Sequence, residues 1–307
     1  MKINLLNKTE WSMKLKLSPY RTVFHEYWWG KFTTEYLGGE FFPILVEDEN
    51  RQWLLPCYIG KPWSENDQVS IGGIGYGGPL PLYEINSPAI EGNRVSEILP
   101  EIAQYFKKNS IKATLYSDKS WSLIEDNRFQ MSSTVKIPLI RSKDYMFENI
   151  LTGNVRTAIR KAHKSDVVVR GINSSEDELA QSYNLLIDTQ KRVNSKYVTD
   201  RKLFMSLAQN NNYQKSKCFV AIKDSRILAT TILVWNDLEA FHLFHGWDKN
   251  YDSLCANQSI LWEMINFAKV EKLESFNMGE SHSENLLRAK LRWGGRVELV
   301  PRISLYI

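Results

Sequence analysis

Residues 41–48, FFPILVED, and 52–60, QWLLPCYIG, are two short runs dominated by apolar, aromatic and β-branched side chains. The stretch Glu47-Asp48-Glu49-Asn50-Arg51 between them is polar, so the pair is predicted to form a β-hairpin. Upstream, FHEYWWGKFTTEYLG (24–38) has apolar residues at helical spacing, with Phe24, Tyr27, Trp28 and Tyr36 on the inward side. Gly38-Gly39 ends that helix, because glycine takes the left-handed conformation needed there at little cost. SEILPEIAQYFKKNS (96–110) reads as a further helix, and ATLYSD (113–118) and STVKIPLI (133–140) as strands.

Near residue 141 the pattern starts again. A basic helix, NVRTAIRKAHKS, leads into the strand DVVVRGI; a long helix around EDELAQSYNLLIDTQKRV follows, and then the strands KCFVAIKD, ILATTILVW and LEAFHLFHGW. The helix NQSILWEMINFAKVEKL, the strand SFNM, the helix ENLLRAKLRW and the strand VELVPRISLYI close the chain. This order predicts an α/β (α+β) protein of two domains, each a mixed, mostly antiparallel sheet flanked by helices. The expected boundaries are 1–140 and 141–295, with the last strand, 296–307, available to complete the first domain.

Composition narrows the class. With 307 residues, 43% of them hydrophobic and 24% charged, the chain resembles ordinary globular proteins. No apolar run approaches the roughly 20 residues needed to cross a bilayer, and the N-terminus lacks a signal-peptide pattern, so a cytoplasmic protein is expected. Cys57, Cys218 and Cys255 lie far apart with no C-x-x-C pair, which argues against a disulfide framework or a cysteine zinc site. The net charge of +4 permits an anionic ligand without demanding nucleic acid.

Gly73, Gly75 and Gly78 in SIGGIGYGGPLPL (70–82) have the spacing of a dinucleotide loop. That loop requires a helix directly after the glycines, and Pro79 and Pro81 prevent one; a tight turned loop is expected instead. In residues 154–164, Arg156, Arg160 and Lys164 recur every four residues beside an apolar face, either as a phosphate grip or as a solvated basic face. His242 and His245 fall in a predicted strand, whose alternation sends them to opposite faces, so no shared metal is expected. Gly279-Glu280-Ser281-His282-Ser283 lacks the second glycine of a nucleophile elbow and has no histidine after His282; Ser281 with Glu284 is predicted to be a capping box. On the following helix Lys290 lies among Leu286, Leu287 and Trp293, while Arg288 and Arg292 face solvent.

Three segments taken in order, Gly75-Tyr76-Gly77-Gly78-Pro79-Leu80, NVRTAIRKAHKSDVVVR and FNMGESHSENLLRAKLRWGG, resemble the Fem-type aminoacyltransferases of peptidoglycan bridge synthesis. That family is built from two domains of the GNAT acetyltransferase fold, and the likeness covers most of the chain. Two positions depart from it: Glu280 stands where many relatives have arginine, and Ala289 precedes Lys290 where an aromatic is common.

The resemblance implies transfer of an aminoacyl or acyl group to an amine of a cell-wall or surface-polysaccharide precursor. The donor it implies is aminoacyl-tRNA; acyl-CoA or an acyl-carrier protein is the alternative, and a non-catalytic binding protein a second one. By position, Lys290 would stabilise an oxyanion or a donor phosphate. Arg156 and Arg160, with Lys164 continuing their row, would bind phosphates of a phosphorylated or glycan-linked acceptor or of the donor. Lys31 beside Trp29 would contact the acceptor, Tyr76, Gly77 and Gly78 would border its cleft, and Ser281 belongs to the glycine-serine turn. His245, Tyr251 and Glu280 are the candidate bases; no metal and no bound cofactor are implied. The interval GWDKNYDSLCANQSI has no glycine after Gly246, unlike the coenzyme A loop, whose amides hold a pyrophosphate.

Overall fold

The computed structural model describes every residue except 49–50, 63–66, 85–87, 119–120, 122–126, 196 and 210–214. The turn of the predicted hairpin, at 49–50, lies outside the described residues. The chain divides into two compact units. The first comprises Met1–Thr134, Glu280–His282 and Val297–Ile307; the second comprises Val135–Gly279 and Ser283–Arg296.

In the first unit β1 (Lys2–Leu5) precedes α1 (Lys8–Leu15) and α2 (Tyr27–Leu37). Then come β2 (Glu40–Asp48), β3 (Arg51–Ile59), β4 (Gln68–Ile71), β5 (Leu80–Pro81), α3 (Pro88–Tyr105) and β6 (Ser110–Thr114). The predicted hairpin is present as β2 against β3, running from Glu40↔Ile59 to Asp48↔Arg51. β4 and β6 pair in parallel, and β13 (Arg296–Tyr306) adds antiparallel to β6 through Arg302↔Thr114 to Tyr306↔Ser110. A core of Trp11, Ile44, Trp53, Leu54, Leu99, Ile111 and Ile303 holds the sheet to α1 and α3.

The sequence pattern did not anticipate β1, α1 or β4. Yet α1 opens with a complete capping box: the Asn7 side chain accepts from Glu10 N–H, and Glu10 returns a bond to the Asn7 amide. Two orphan amides are satisfied reciprocally there, which lets an eight-residue helix form with little apolar periodicity.

β7 (Phe129–Pro138) carries the chain into the second unit, followed by the short α4 (Lys143–Tyr145), α5 (Gly153–Lys164), β8 (Val168–Gly171) and α6 (Glu176–Arg192). Next are α7 (Arg201–Gln209), β9 (Ser216–Lys223), β10 (Arg226–Trp235), β11 (Glu239–Trp247), α8 (Ala256–Val270), β12 (Ser275–Ser281) and α9 (Glu284–Leu291). Within this unit the strand order is β12-β11-β10-β9-β8. Every pair is antiparallel except β11 with β12, which is parallel. α8 packs on one side through Ile260, Met264, Ile265 and Ala268. α6 lies so close to β11 that a Cβ on Gly246 would come within 2.6 Å of the Leu186 backbone. No helix among the described residues is long and apolar enough to cross a membrane.

Candidate functional site

The parallel pairing of β11 and β12 sets up the most reactive part of the second unit. It runs only from Glu239↔Ser275 to Phe241↔Asn277, although β11 continues to Trp247 and β12 to Ser281. Beyond Phe241 the ladder between them is interrupted. At the same point β11 is irregular against β10: Ile232 pairs with Phe244 but Leu233 pairs with His242, leaving Leu243 as an extra residue.

This bulge corrects the expected placement of the histidines. An extra residue reverses the alternation beyond it, so His242 and His245 share one face rather than pointing oppositely. Their ring centroids are 5.2 Å apart, nearly perpendicular. His245 Nε2 lies 3.0 Å from Asn257 Oδ1 on α8, so the ring donates there and Nδ1 carries the lone pair. Both His245 Nδ1 and His242 Nε2 are sealed from solvent with no hydrogen-bond partner among the described residues. Burial pushes His245 down to about 4, against the opposing Asn257 bond. His242 is held well below the ordinary imidazole range by burial first, then by the proximity of His245 and of the Lys290 ammonium. Both rings are therefore neutral bases near pH 7.

Lys290 reaches the same region from α9. Its side chain is buried at 9% exposure, and Nζ donates to Gly279 O at 2.7 Å. Gly279 is in the left-handed region (φ +73°) with its amide bonded to Asn277 Oδ1 at 3.0 Å, and a Cβ there would meet His242 O at 3.1 Å. The glycine thus lets β12 approach β11 closely while turning its carbonyl to the lysine. α9 is capped by Ser283, whose Oγ accepts from Leu286 N–H; the expected cap, Ser281, instead ends β12 with its Oγ buried and without a hydrogen-bond partner among the described residues. β12 runs three residues further than its apolar core suggested, and this displaces the cap. Arg288 is exposed and paired with Glu284, and Arg292 is exposed.

Between β11 and α8, Asp248 Oδ1 accepts from Asn250 N–H and opens a 3-10 turn, Lys249–Leu254; Cys255 is then left-handed (φ 56°). A pocket of about 290 Å³ lies here, lined by Trp247, Asp248, Tyr251, Asp252, Asn257 and Gln258 among others. Tyr251 stands beneath the Arg226 guanidinium, 5.0 Å from its ring centroid, and Arg226 also pairs with Asp248 at 3.5 Å. Two carboxylates at the start of α8 oppose its positive end, which disfavours an anionic ligand there.

The remaining predicted residues are dispersed. Arg156 donates to the carbonyls of Glu148 and Leu151, capping the turn that precedes α5. Arg160 pairs with Glu148 at 3.0 Å over the Phe147 ring, and Lys164 is exposed. The basic row is thus largely engaged with its own chain. In the first unit, Arg302 clamps both oxygens of Glu280. Burial raises the Glu280 carboxyl, but the hydrogen bonds and charge of Arg302 outweigh it and hold it below the usual range, and both carboxylate oxygens are already engaged by that guanidinium.

Lys31 is exposed on α2, whereas Trp29 is buried among Phe24, Trp28 and Phe32, its indole N–H without a partner among the described residues. Tyr76, expected at a cleft border, is 2% exposed and packs edge-on to Phe24. The glycine run is a turned loop, as its prolines require: a Cβ on Gly78 would lie 2.1 Å from Thr114 O, and one on Gly77 2.8 Å from Phe24 O. His25, fully buried, pins the loop. Thr22 N–H donates to its Nδ1 at 3.1 Å, so Nε2–H donates to Gly78 O at 3.1 Å. Burial pushes His25 down to about 4, the two backbone bonds opposing.

Among the described residues no group of three or more His, Cys, Asp and Glu side chains is placed to hold a metal. His242 is the site residue that sequence reasoning dismissed; H-x-x-H was the visible signal, but nothing in the sequence announced the bulge.

Residues 152–285 match the family model described as an acetyltransferase (GNAT) domain. The chain is similar in fold to FemX, with TM-score 0.66 and 12% identity over 98% of this chain and 97% of that one. A tandem GNAT protein from the clavulanic acid biosynthesis pathway aligns with TM-score 0.59 and 9% identity, over 99% and 98% of the two chains. L-PGS from Bacillus licheniformis gives 0.56 and 12%, over 99% and 93%. No curated protein matches by sequence.

Proposed function

We propose that the protein is an N-acyltransferase and that the interrupted end of the β11–β12 ladder is its reaction centre, since residues 152–285 match the model of a GNAT acetyltransferase domain and the chain is similar in fold to FemX and to a tandem GNAT protein. The observation that carries this reading is the buried Lys290 ammonium, fixed on Gly279 O, acting electrostatically on the neutral ring of His242. A fixed cation within electrostatic reach of a neutral imidazole meets the two demands of acyl transfer to an amine.

The amine nitrogen attacks the acyl carbonyl carbon, and the carbonyl oxygen takes up negative charge facing Lys290. The His242 imidazole accepts the amine proton. The tetrahedral intermediate then collapses, the bond from carbon to the donor's oxygen or sulfur breaks, and the leaving group takes that proton. Lys290 fills the oxyanion role suggested by position in the Fem-type resemblance, and His242 replaces His245, Tyr251 and Glu280 as base.

The donor reading rests on the start of α8. Asp248 and Asp252 stand beside the helix amides at which an acyl-CoA pyrophosphate would have to sit, and no glycine follows Gly246 there. This supports an aminoacyl-tRNA donor, in keeping with the fold likeness to FemX, and an amine of a cell-wall or surface-polysaccharide precursor as acceptor. The protein incubated with an amine acceptor and either aminoacyl-tRNA or acyl-CoA should consume only the former, with transfer abolished by ribonuclease. Turnover of acyl-CoA alone would replace the tRNA reading. Consumption of neither would favour a binding protein.

A further inference from the structure

The turn between α6 and α7 displays apolar side chains in a way that no catalytic role requires. Val193, Tyr197 and Val198 are 57%, 82% and 70% exposed, three large hydrophobic residues within six positions. Single exposed apolar residues need no explanation, but a cluster of them does.

The cluster is held outward by design of the backbone. Asn194 turns the chain in the left-handed region (φ 50°), and Ser195 N–H bonds back to Gln190 O at 2.9 Å. Ser195 Oγ donates to Tyr197 O at 2.8 Å and accepts from Tyr197 N–H at 3.2 Å. The far end is stapled to α6: Gln190 exchanges two bonds with Thr199, at 2.7 and 3.0 Å, and Tyr183 O–H donates to Thr199 O at 2.9 Å. Thr199 is buried and bonded to α6, while Val193, Tyr197 and Val198 face solvent.

The surroundings are basic. Lys191, Arg201 and Lys202 are exposed beside the turn, with Arg192 stacked on the Trp247 ring, against Asp188 and Asp200, the latter capping α7 through Leu203 N–H. Apolar side chains at a tip with cations around its base match a surface that is apolar within and anionic at its rim. Tyrosine suits that boundary, with a ring for the acyl region and a hydroxyl for the headgroups. A nucleic acid would find one planar ring for stacking; the two valines offer it nothing.

We propose that the α6–α7 turn is an interfacial anchor, by which the protein binds the surface of an anionic lipid bilayer. Neither donor nor acceptor chemistry enters this inference, so it stands apart from the catalytic reading.

The test uses the full chain with vesicles of phosphatidylcholine alone and of phosphatidylcholine with equimolar phosphatidylglycerol. Sedimentation with the anionic vesicles is expected, weakening as salt rises. Tyr197→Ser with Val198→Ser should lower the partition coefficient by about tenfold or more, given the apolar surface removed. Lys191→Glu with Lys202→Glu should lower it as well. To guard against a folding defect, Val193→Cys in a Cys255→Ser background takes an environment-sensitive dye, since the other thiols are buried; its emission should shift to the blue on anionic vesicles. Equal binding to both vesicle types, partition unchanged by the serine pair, or an unshifted dye overturns the proposal. So does binding of a single-stranded oligonucleotide that the charge reversals abolish while no vesicle is bound.

Discussion

Replacing Lys290 by methionine separates catalysis from folding. The substitution keeps the buried stem and removes the ammonium that donates to Gly279 O at 2.7 Å. A hydrogen bond from a charged group contributes about 1.5–3 kcal/mol. Removing the cation also removes its desolvation cost, so the net loss of stability is expected to be only about 1–2 kcal/mol. In the transition state the same ammonium faces a full oxyanion, and loss of one such donor costs about 10²–10³-fold in turnover. Stability should therefore change little while turnover collapses. A second readout follows from sign: the Lys290 charge disfavours protonation of His242, so the variant's His242 should titrate at higher pH. Steady-state turnover with whichever donor supports transfer, urea unfolding, and NMR titration of the histidine ring protons measure the three quantities. Turnover within about threefold of the parent, or a His242 midpoint that does not rise, would refute the reasoning.

Other outcomes are expected from the same geometry. His242→Gln should lower turnover by about 10²–10⁴-fold near neutral pH, whereas His245→Gln should leave an active enzyme; equal losses in a turnover assay would point to a shared role. His25 has a folded pKa of about 4 against 6.5 unfolded. The unfolded chain binds the extra proton between those values, so the stability linked to this group is full above pH 6.5 and falls as pH drops towards 4. The loss is about 2 kcal/mol at pH 5, and urea unfolding at pH 7 and 5 should show it shrinking in His25→Gln. Gly78→Ala places a Cβ 2.1 Å from Thr114 O, backbone against backbone. It should destabilise by about 3 kcal/mol, read as a lowered thermal midpoint; an unchanged midpoint would mean the loop shifts freely.

Much of the chain could be read directly. The β2–β3 hairpin, α2 ending at Gly38, and the succession from α5 to β13 apart from α7 follow from apolar periods of two or 3.6 and from glycines at turns. The burial of Lys290 also followed, because its helical neighbours at three and four residues are apolar. Those are local properties, and each is fixed by a dozen residues or fewer.

The site resisted the same treatment because it depends on distant partners. Whether His242 and His245 share a face is decided by the register of β11 on β10, where one unpaired residue, Leu243, reverses the alternation. Arg156, Arg160 and Glu280 were free candidates as sequence; folding engages them with the carbonyls before α5, with Glu148 and with Arg302. Sequence by itself determined most of the helices and strands, though not β1, α1, β4 or α7, and which loops cannot be nucleotide cradles, since periodicity and proline act locally. Tertiary structure alone decided which polar groups are satisfied and which buried ones remain available for chemistry, because burial and hydrogen-bond partners come from segments far apart in the chain.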